Sequence, residues 1–117
     1  MKTFLAVYLG SDEAMSDWNA LPEGERERRQ QEGVARWRAW AERHAASIVD
    51  HGGPLGRTKA VSATGIADVR NAMAAYVIVR ADSHEHAARM FEGHAHFTLL
   101  PGHSVEIMKC LPMPAQA

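Results

Sequence analysis

The chain has 117 residues, and its 13 Lys and Arg against 14 Asp and Glu leave a formal charge of −1. Its 46% hydrophobic and 23% charged fractions are those of an average globular protein, which excludes collagen-like and low-complexity chains. The length fits one domain, and the balanced charge predicts neither a nucleic-acid nor a membrane partner. Because the single Cys110 cannot form an internal disulfide, and residues 1–9 lack the layout of a signal peptide, we expect a cytoplasmic protein.

The N-terminal segment predicts a buried strand followed by a short helix. Residues 3–9 are rich in β-branched and aromatic side chains and are too few for a helix of their own. Because both faces of this strand are apolar, we expect it to be covered on both sides. Ser11 or Asp12 then caps a helix that extends to about Ala20.

A long helix is predicted from Pro22 to about Val49, ended by Gly52-Gly53-Pro54. Its first half is rich in Glu and Arg and is expected to be solvated, whereas its second half carries an apolar stripe that contains Trp37 and Trp40. Two roles are open to this tryptophan pair. It packs the helix against a sheet, or it walls a cleft for a small ligand.

The next segments predict two strands. A weak strand is expected over residues 55–64, followed by a turn at residues 65–68. The clearest strand of the chain covers residues 74–80, and it is again apolar on both faces.

The last third predicts a helix, an irregular segment and a final strand. Ser83 caps the helix, which ends at Gly93. Residues 94–102 are expected to be irregular, and alternation over residues 104–111 predicts the strand. We therefore expect one domain over residues 1–111 and a frayed tail over residues 112–117.

This order of elements predicts an α+β fold of the split β-α-β type, with a four-stranded antiparallel sheet and helices on one face. The two strands that are apolar on both faces then leave an apolar patch on the other face, larger than monomers usually expose. The simplest cover is a second copy related by a two-fold axis. We predict a homodimer that pairs through its sheet faces.

Seven histidines are the unusual feature of the composition, and four lie in or near the irregular segment or the second strand: His51, His94, His96 and His103. A general acid/base role requires one imidazole and a partner that orients it, and His94 and His96 are the leading catalytic candidates. Their spacing also suits two metal ligands, but no carboxylate or thiol completes a motif, so no metal is assigned. A purely structural role, with the rings bonded to backbone groups, is the third possibility.

Five residues are candidates for ligand binding. Trp37 and Trp40 supply aromatic surface, Asp50 and Arg57 are possible polar anchors that also fit ordinary surface charges, and Tyr76 lies on the clearest strand. The glycine-rich segment near residue 52 contains a proline and follows no predicted strand, so it matches no phosphate-binding loop. No cofactor is predicted.

Three stretches of the chain resemble YCII-related proteins. They are Asp50-His51-Gly52-Gly53-Pro54-Leu55-Gly56 followed by Lys59-Ala60-Val61; Ala75-Tyr76-Val77-Ile78-Val79 through Ala81-Asp82-Ser83; and His94-Ala95-His96-Phe97 with Pro101-Gly102-His103-Ser104-Val105-Glu106-Ile107. The resemblance covers nearly the whole chain. It implies a ferredoxin-like β-α-β-β-α-β fold that pairs into a dimeric α+β barrel.

The resemblance also implies a His/Asp site in a cleft, but this chain departs from it. Arg36-Trp37 stands where the family's helical histidine falls, and His94-Ala95 stands at its late Asp-Pro pair. Gly65-Ile66-Ala67-Asp68 replaces a related Asp-Gly-Pro-Phe turn motif. The family site therefore cannot be carried over intact, and a site in the same cleft would be rebuilt from His94, His96 and the tryptophans.

The sequence thus predicts a small-molecule enzyme of the acid/base type, an isomerase or lyase that uses a cleft between helix and sheet. A non-catalytic homodimer that binds a small ligand or regulates another process is the alternative. A metal-binding module is a less favoured one.

The homodimer is directly testable. Sedimentation or light scattering at micromolar concentration is expected to give twice the chain mass of 12.9 kDa, because one copy cannot cover both faces of its sheet. A mass of one chain under these conditions would contradict the prediction.

Overall fold

The computed structural model describes residues 1–114, and the bounds of the elements are taken from it. The strands are β1 Lys2–Leu9, β2 Ile48–Pro54, β3 Thr58–Ser62, β4 Gly65–Val69, β5 Met73–Ala81 and β6 Ser104–Lys109. The helices are α1 Asp12–Ala20, α2 Glu23–Arg43, α3 His84–Arg89 and α4 Ala95–Thr98, with a 3₁₀ turn at Ala45–Ser47.

Four strands form one antiparallel sheet in the order β2-β5-β1-β6, and β3 pairs with β4 in a separate two-stranded sheet. The predicted α+β fold with a four-stranded antiparallel sheet is therefore confirmed. The two strands that are apolar on both faces, β1 and β5, lie at its centre, where strands are most completely covered.

The core lies on the helical face of this sheet. Phe4 and Tyr8 of β1 and Val79 of β5 are almost fully buried there, against Trp40 of α2. The Trp40 indole Nε1–H donates to the carbonyl of Met90, at 2.7 Å, and so joins α2 to the end of α3. This bond lets a large aromatic side chain be buried without leaving its polar atom unpaired.

Two predicted helix caps are confirmed. The Ser11 hydroxyl accepts from the backbone N–H of Ala14 at 3.0 Å, and the Ser83 hydroxyl accepts from that of His86 at 3.1 Å. Each satisfies a donor that a first helical turn leaves without a partner.

The predicted extent of the long helix is wrong. Helix α2 ends at Arg43, and Gly52-Gly53-Pro54 lies within strand β2 instead of ending a helix. Ile48 pairs opposite Val79 in the sheet and packs on the core, so its apolar side chain fits a strand as well as a helix. Gly52 has φ +60°, and a Cβ at this position would collide with the Tyr76 carbonyl, so glycine is required where β2 meets β5.

The strand predicted over residues 55–64 is present but shorter, because β3 covers Thr58–Ser62, and the turn predicted at residues 65–68 is wrong, because strand β4 lies there. This region is a hairpin of β3 and β4. Lys59 and Asp68 stand opposite each other and form an ion pair at 2.7 Å, while Val61 stands opposite Ile66. These cross-strand pairs stabilise a hairpin in a region of weak strand propensity, and its turn, at residues 63–64, comes before the expected position.

The segment expected to be irregular contains helix α4, and the helix before it ends at Arg89, before Gly93. The last strand ends at Lys109, two residues before the predicted end. Residues 112–114 are exposed and lie outside any element, and the last three residues of the predicted tail fall outside the described residues. The division into a domain and a frayed tail stays a prediction.

The other face of the sheet carries the alternate side chains of its strands. Val7 of β1 is buried among its neighbours, Leu5 and Ile78 beside it are half-buried, and Met108 of β6 is 43% exposed. We call this surface the open face. No helix within residues 1–114 is long and apolar enough to cross a membrane.

The Trp40 hydrogen bond generates a stability prediction. Trp40→Phe removes the Nε1–H and leaves the buried Met90 carbonyl unpaired, so we expect the free energy of unfolding to fall by roughly 1–3 kcal/mol. Urea unfolding at fixed protein concentration measures this change. Trp18→Phe is the matched control, because the Trp18 indole is half-buried and makes no hydrogen bond within residues 1–114. Equal losses in the two variants would contradict the role given to the bond.

Candidate functional site

A cavity of about 340 Å³ lies in the cleft between α2 and the β2–β5 side of the sheet. Its wall is mostly aromatic and aliphatic, and Tyr8 and His51 supply its polar side chains. Its lining residues include Tyr8, Trp37, Trp40, His51, Tyr76 and Leu100. A cavity of this size and lining suits a small organic ligand with one ring.

Tyr8 lines this cavity from the central strand β1. Its ring lies 4.4 Å from the Trp37 ring, centroid to centroid, and the residue is 1% exposed. Burial raises the pKa of the Tyr8 hydroxyl above its ordinary value of 10.0. The phenol therefore keeps its proton throughout the physiological range and acts there as a hydrogen-bonding group, not as a base.

His94 lies directly behind Tyr8. It precedes α4, and its Nδ1 accepts the backbone N–H of His96 at 3.0 Å, so Nδ1 carries no proton. In the neutral ring the proton is consequently on Nε2, which lies 3.4 Å from the Tyr8 hydroxyl oxygen. This arrangement directs the His94 N–H at the Tyr8 oxygen.

The surroundings of His94 favour the neutral ring. The residue is 2% exposed, and burial lowers its pKa from 6.5 to about 4, with smaller contributions in the same direction from the nearby His96 and His44. The rings of Trp37 and Trp40 lie 4.6 and 5.0 Å from the His94 ring, both edge-on. His94 is thus held in one orientation by aromatic packing on two sides and by the hydrogen bond from the His96 backbone N–H.

His96 is the second buried histidine of this cluster. Its Nε2 lies 2.7 Å from the Leu9 carbonyl, to which it donates. Burial lowers the pKa of His96, and the hydrogen bonds to the backbone of Leu9 and Ser104 partly oppose that shift. Gly102 approaches this ring so closely that a Cβ at position 102 would collide with it. The loop before β6 is therefore closed over His96.

His51 reaches the cavity through an irregularity in β2. Between Asp50, which pairs with Ile78, and Gly53, which pairs with Tyr76, β2 contains one residue more than β5. Such bulges turn side chains to new directions and are frequent beside active sites. The Asp50 carboxylate accepts the Gly52 backbone N–H at 2.8 Å and stabilises the bulge. The His51 ring makes no hydrogen bond within residues 1–114 and is available to a ligand.

The structure brings only part of the predicted site together. Trp37, Trp40 and Tyr76 line the cleft cavity. Asp50 does not line it and is bonded to the β2 backbone, and Arg57 lines a different and more open concavity at the base of the β3–β4 hairpin.

The predicted catalytic pair, His94 and His96, does not line the cavity. Both rings lie behind Tyr8 and form hydrogen bonds with backbone groups. Their catalytic role stays a prediction. Within residues 1–114, no three His, Cys, Asp or Glu side chains converge as a metal site would require.

Tyr8 and His51 are the polar cavity residues that sequence reasoning did not assign to a site. Tyr8 alternates with Val7 and Leu9 and so has the pattern of a core residue. The one available signal was its hydroxyl, since a buried tyrosine usually needs a hydrogen-bond partner. His51 was noted near a strand, but the bulge that turns it into the cleft leaves no signature in the pattern.

No family model and no curated protein matches the sequence. Among solved structures, the chain is similar to 5-chloro-2-hydroxyhydroquinone dehydrochlorinase (TftG) from Burkholderia phenoliruptrix AC1100, in complex with 2,5-dihydroxybenzoquinone. The two share a TM-score of 0.56 and 14% sequence identity over 93% of each chain. At this identity the likeness concerns the fold, and it shows the ferredoxin-like architecture expected above.

The neutral state of His94 generates a prediction about pH. Because its pKa is about 4 in the folded protein and 6.5 ordinarily, the unfolded chain binds more protons between these values, and stability falls as pH drops from about 6.5. In His94→Gln, whose amide oxygen can still accept the His96 N–H, we expect the loss of stability between pH 7 and pH 5 to be smaller by about 2 kcal/mol. Urea unfolding at both pH values measures it. The exposed His86→Gln is the control, and an unchanged pH dependence in His94→Gln would contradict the assignment.

Proposed function

We propose that this protein is a small-molecule enzyme of the acid/base type, which abstracts a proton next to a carbonyl group of a ligand held in the cleft cavity. The observation that carries the proposal is the pairing of two polar side chains, Tyr8 and His51, in an otherwise apolar and aromatic cavity of about 340 Å³. Tyr8 is almost fully buried and His51 is exposed, so a ligand that enters from solvent can meet the imidazole and place an oxygen on the phenol.

Tyr8 is proposed to stabilise negative charge on the ligand oxygen. Its oxygen faces the N–H of His94, so its own proton is free to point elsewhere and to donate to an oxygen in the cavity. Because burial raises the pKa of Tyr8, the hydroxyl remains a donor while charge develops on that oxygen. A donor fixed before the reaction begins is the usual source of enolate stabilisation.

His51 is proposed to be the base. Its ring takes the proton from the carbon beside the carbonyl, the C–H electron pair becomes the new carbon–carbon double bond, and the carbonyl oxygen becomes the enolate oxygen that Tyr8 binds. Return of the proton to another carbon completes an isomerisation. Departure of a β-substituent with its bonding electrons completes an elimination. Both outcomes belong to the isomerase or lyase class predicted from the sequence.

His94 and His96 contribute to this chemistry as positioning residues. The backbone N–H of His96 donates to Nδ1 of His94 and so fixes the orientation of the His94 ring. The Nε2–H of His94 in turn orients the Tyr8 hydroxyl. The predicted catalytic pair is thus proposed to act through Tyr8, one step removed from the ligand.

The similar fold of the dehydrochlorinase supports a ligand of this kind. That protein binds 2,5-dihydroxybenzoquinone, a flat ring that carries carbonyl and hydroxyl oxygens, and its name denotes removal of HCl. The stacking surfaces of Trp37 and Trp40 suit a flat ring, and the Tyr8 hydroxyl suits a carbonyl oxygen.

We further propose that the chain is a cytoplasmic member of the YCII-related family and forms a homodimer through its open face. The half-buried Leu5 and Ile78 and the exposed Met108 give that face an apolar centre, which pairing with a second copy would remove from water.

Proton abstraction is testable with simple ring ketones. Wild-type protein is expected to bind 2,5-dihydroxybenzoquinone, measured by thermal shift, and to accelerate deuterium uptake from D₂O into a panel of cyclohexanones and cyclohexenones, measured by proton NMR. His51→Gln is expected to lower the exchange rate at least 100-fold and Tyr8→Phe about 100-fold, while ligand binding changes little. His94→Ala is expected to lower kcat more than it raises KM, because it disorders the Tyr8 hydroxyl.

His103→Gln is the matched control, because His103 is exposed and lies outside the cavity. Binding without exchange in wild-type protein would favour the non-catalytic ligand-binding alternative. Absence of both binding and exchange across the panel would contradict the proposal, and a stoichiometric metal in protein purified without a histidine tag would favour the metal-binding module.

A further inference from the structure

The β3–β4 hairpin, residues 58–69, projects from the body of the molecule, and we call it the arm. The chain has a radius of gyration of 16.5 Å, against about 13 Å for a compact domain of this length. Its accessible surface is 8345 Å², about 2,000 Å² more than the roughly 6,300 Å² that its mass predicts for a folded monomer. The molecule therefore exposes much more surface than an isolated domain of its size needs.

The arm pairs only with itself. Strands β3 and β4 form their own two-stranded sheet, with no third strand among residues 1–114, and such hairpins are marginally stable alone in water. At its tip, Val61 and Ile66 stand opposite each other, 77% and 72% exposed. A cross-strand pair of β-branched aliphatic side chains is typical of a packed surface. The tip thus exposes an apolar pair that nothing else within residues 1–114 covers.

We propose that the arm is an interaction surface for a second copy of this chain, against which the Val61–Ile66 tip packs. The excess surface of about 2,000 Å² exceeds the roughly 800 Å² per partner that a stable protein interface buries. The chain passes from β2 into the arm and from the arm into β5, and β2 and β5 are neighbouring strands of the sheet that carries the open face. The sheet pairing proposed above, on which this inference rests, would place the arm of each copy beside the other copy.

The charges agree with a second copy as the partner. The concavity at the base of the arm is lined by Arg57 and Arg70, which form no ion pair within residues 1–114. On the open face, the exposed Asp50 and Glu106 lie on the two edge strands, on either side of the apolar centre. The cationic base of the arm is thus complementary to the acidic edges of the sheet of a second copy.

The test uses purified full-length protein in sedimentation velocity over a range of concentrations. Val61→Asp/Ile66→Asp places two charges at the tip and is expected to raise the dissociation constant for self-association at least tenfold. Both positions are exposed, so the body is expected to fold as in wild type, which circular dichroism verifies. Leu111→Asp/Met113→Asp is the matched control, since these residues are 75% and 89% exposed and lie outside the arm.

Four outcomes decide the proposal. Weaker association in the arm variant alone supports it, and so does a change from a larger assembly to a smaller one. Association of the arm variant with the wild-type dissociation constant would overturn it, as would a wild-type monomer at high concentration. Ile78→Glu on the open face separates this inference from the proposed sheet pairing. If Ile78→Glu dissociates the protein and the arm variant does not, sheet pairing stands and the role of the arm fails.

Discussion

A four-stranded sheet has two faces, and the helices of this chain cover only one of them. That constraint organises the rest of the molecule. The covered face carries the core and, where α2 stands away from β2 and β5, the cleft cavity. The uncovered face carries apolar side chains that water does not stabilise, and the hairpin leaves the sheet beside it. The proposed ligand site and the proposed surface for association are thus two consequences of one layered architecture, on opposite sides of the same central strands.

The chemistry proposed for the cleft depends on a chain of polar groups inside an apolar cluster. A backbone N–H determines where the proton of His94 is, His94 determines which way the Tyr8 hydroxyl presents its oxygen, and burial keeps both groups neutral. Such a network retains its orientation because every alternative leaves a buried polar atom unpaired. The histidine excess in the composition therefore has two meanings. In the proposed site, His94 and His96 are structural parts, and His51 is the ring that a ligand would meet.

Much of the fold was predictable from local pattern, and most of the candidate site was not. The central strands were recognisable because β1 and β5 are apolar on both faces, and Ser11 and Ser83 marked helix starts by their cap chemistry. Strand β2 was missed because Ile48 continues the helical spacing of α2, and only pairing with a strand 30 residues later makes it a strand. The contact between Tyr8 and His94 joins residues 86 apart in the chain, which no local pattern records.

The order of strands in the sheet also has a consequence during synthesis. Strand β1 is made first, but its neighbours are β5 and β6, and Leu5 pairs with Ile78 on one side and Met108 on the other. Contacts of such long sequence separation close late and make folding slow. Strand β1 has two open edges until β5 leaves the ribosome and one until β6 does, and an apolar strand with an open edge is prone to aggregation.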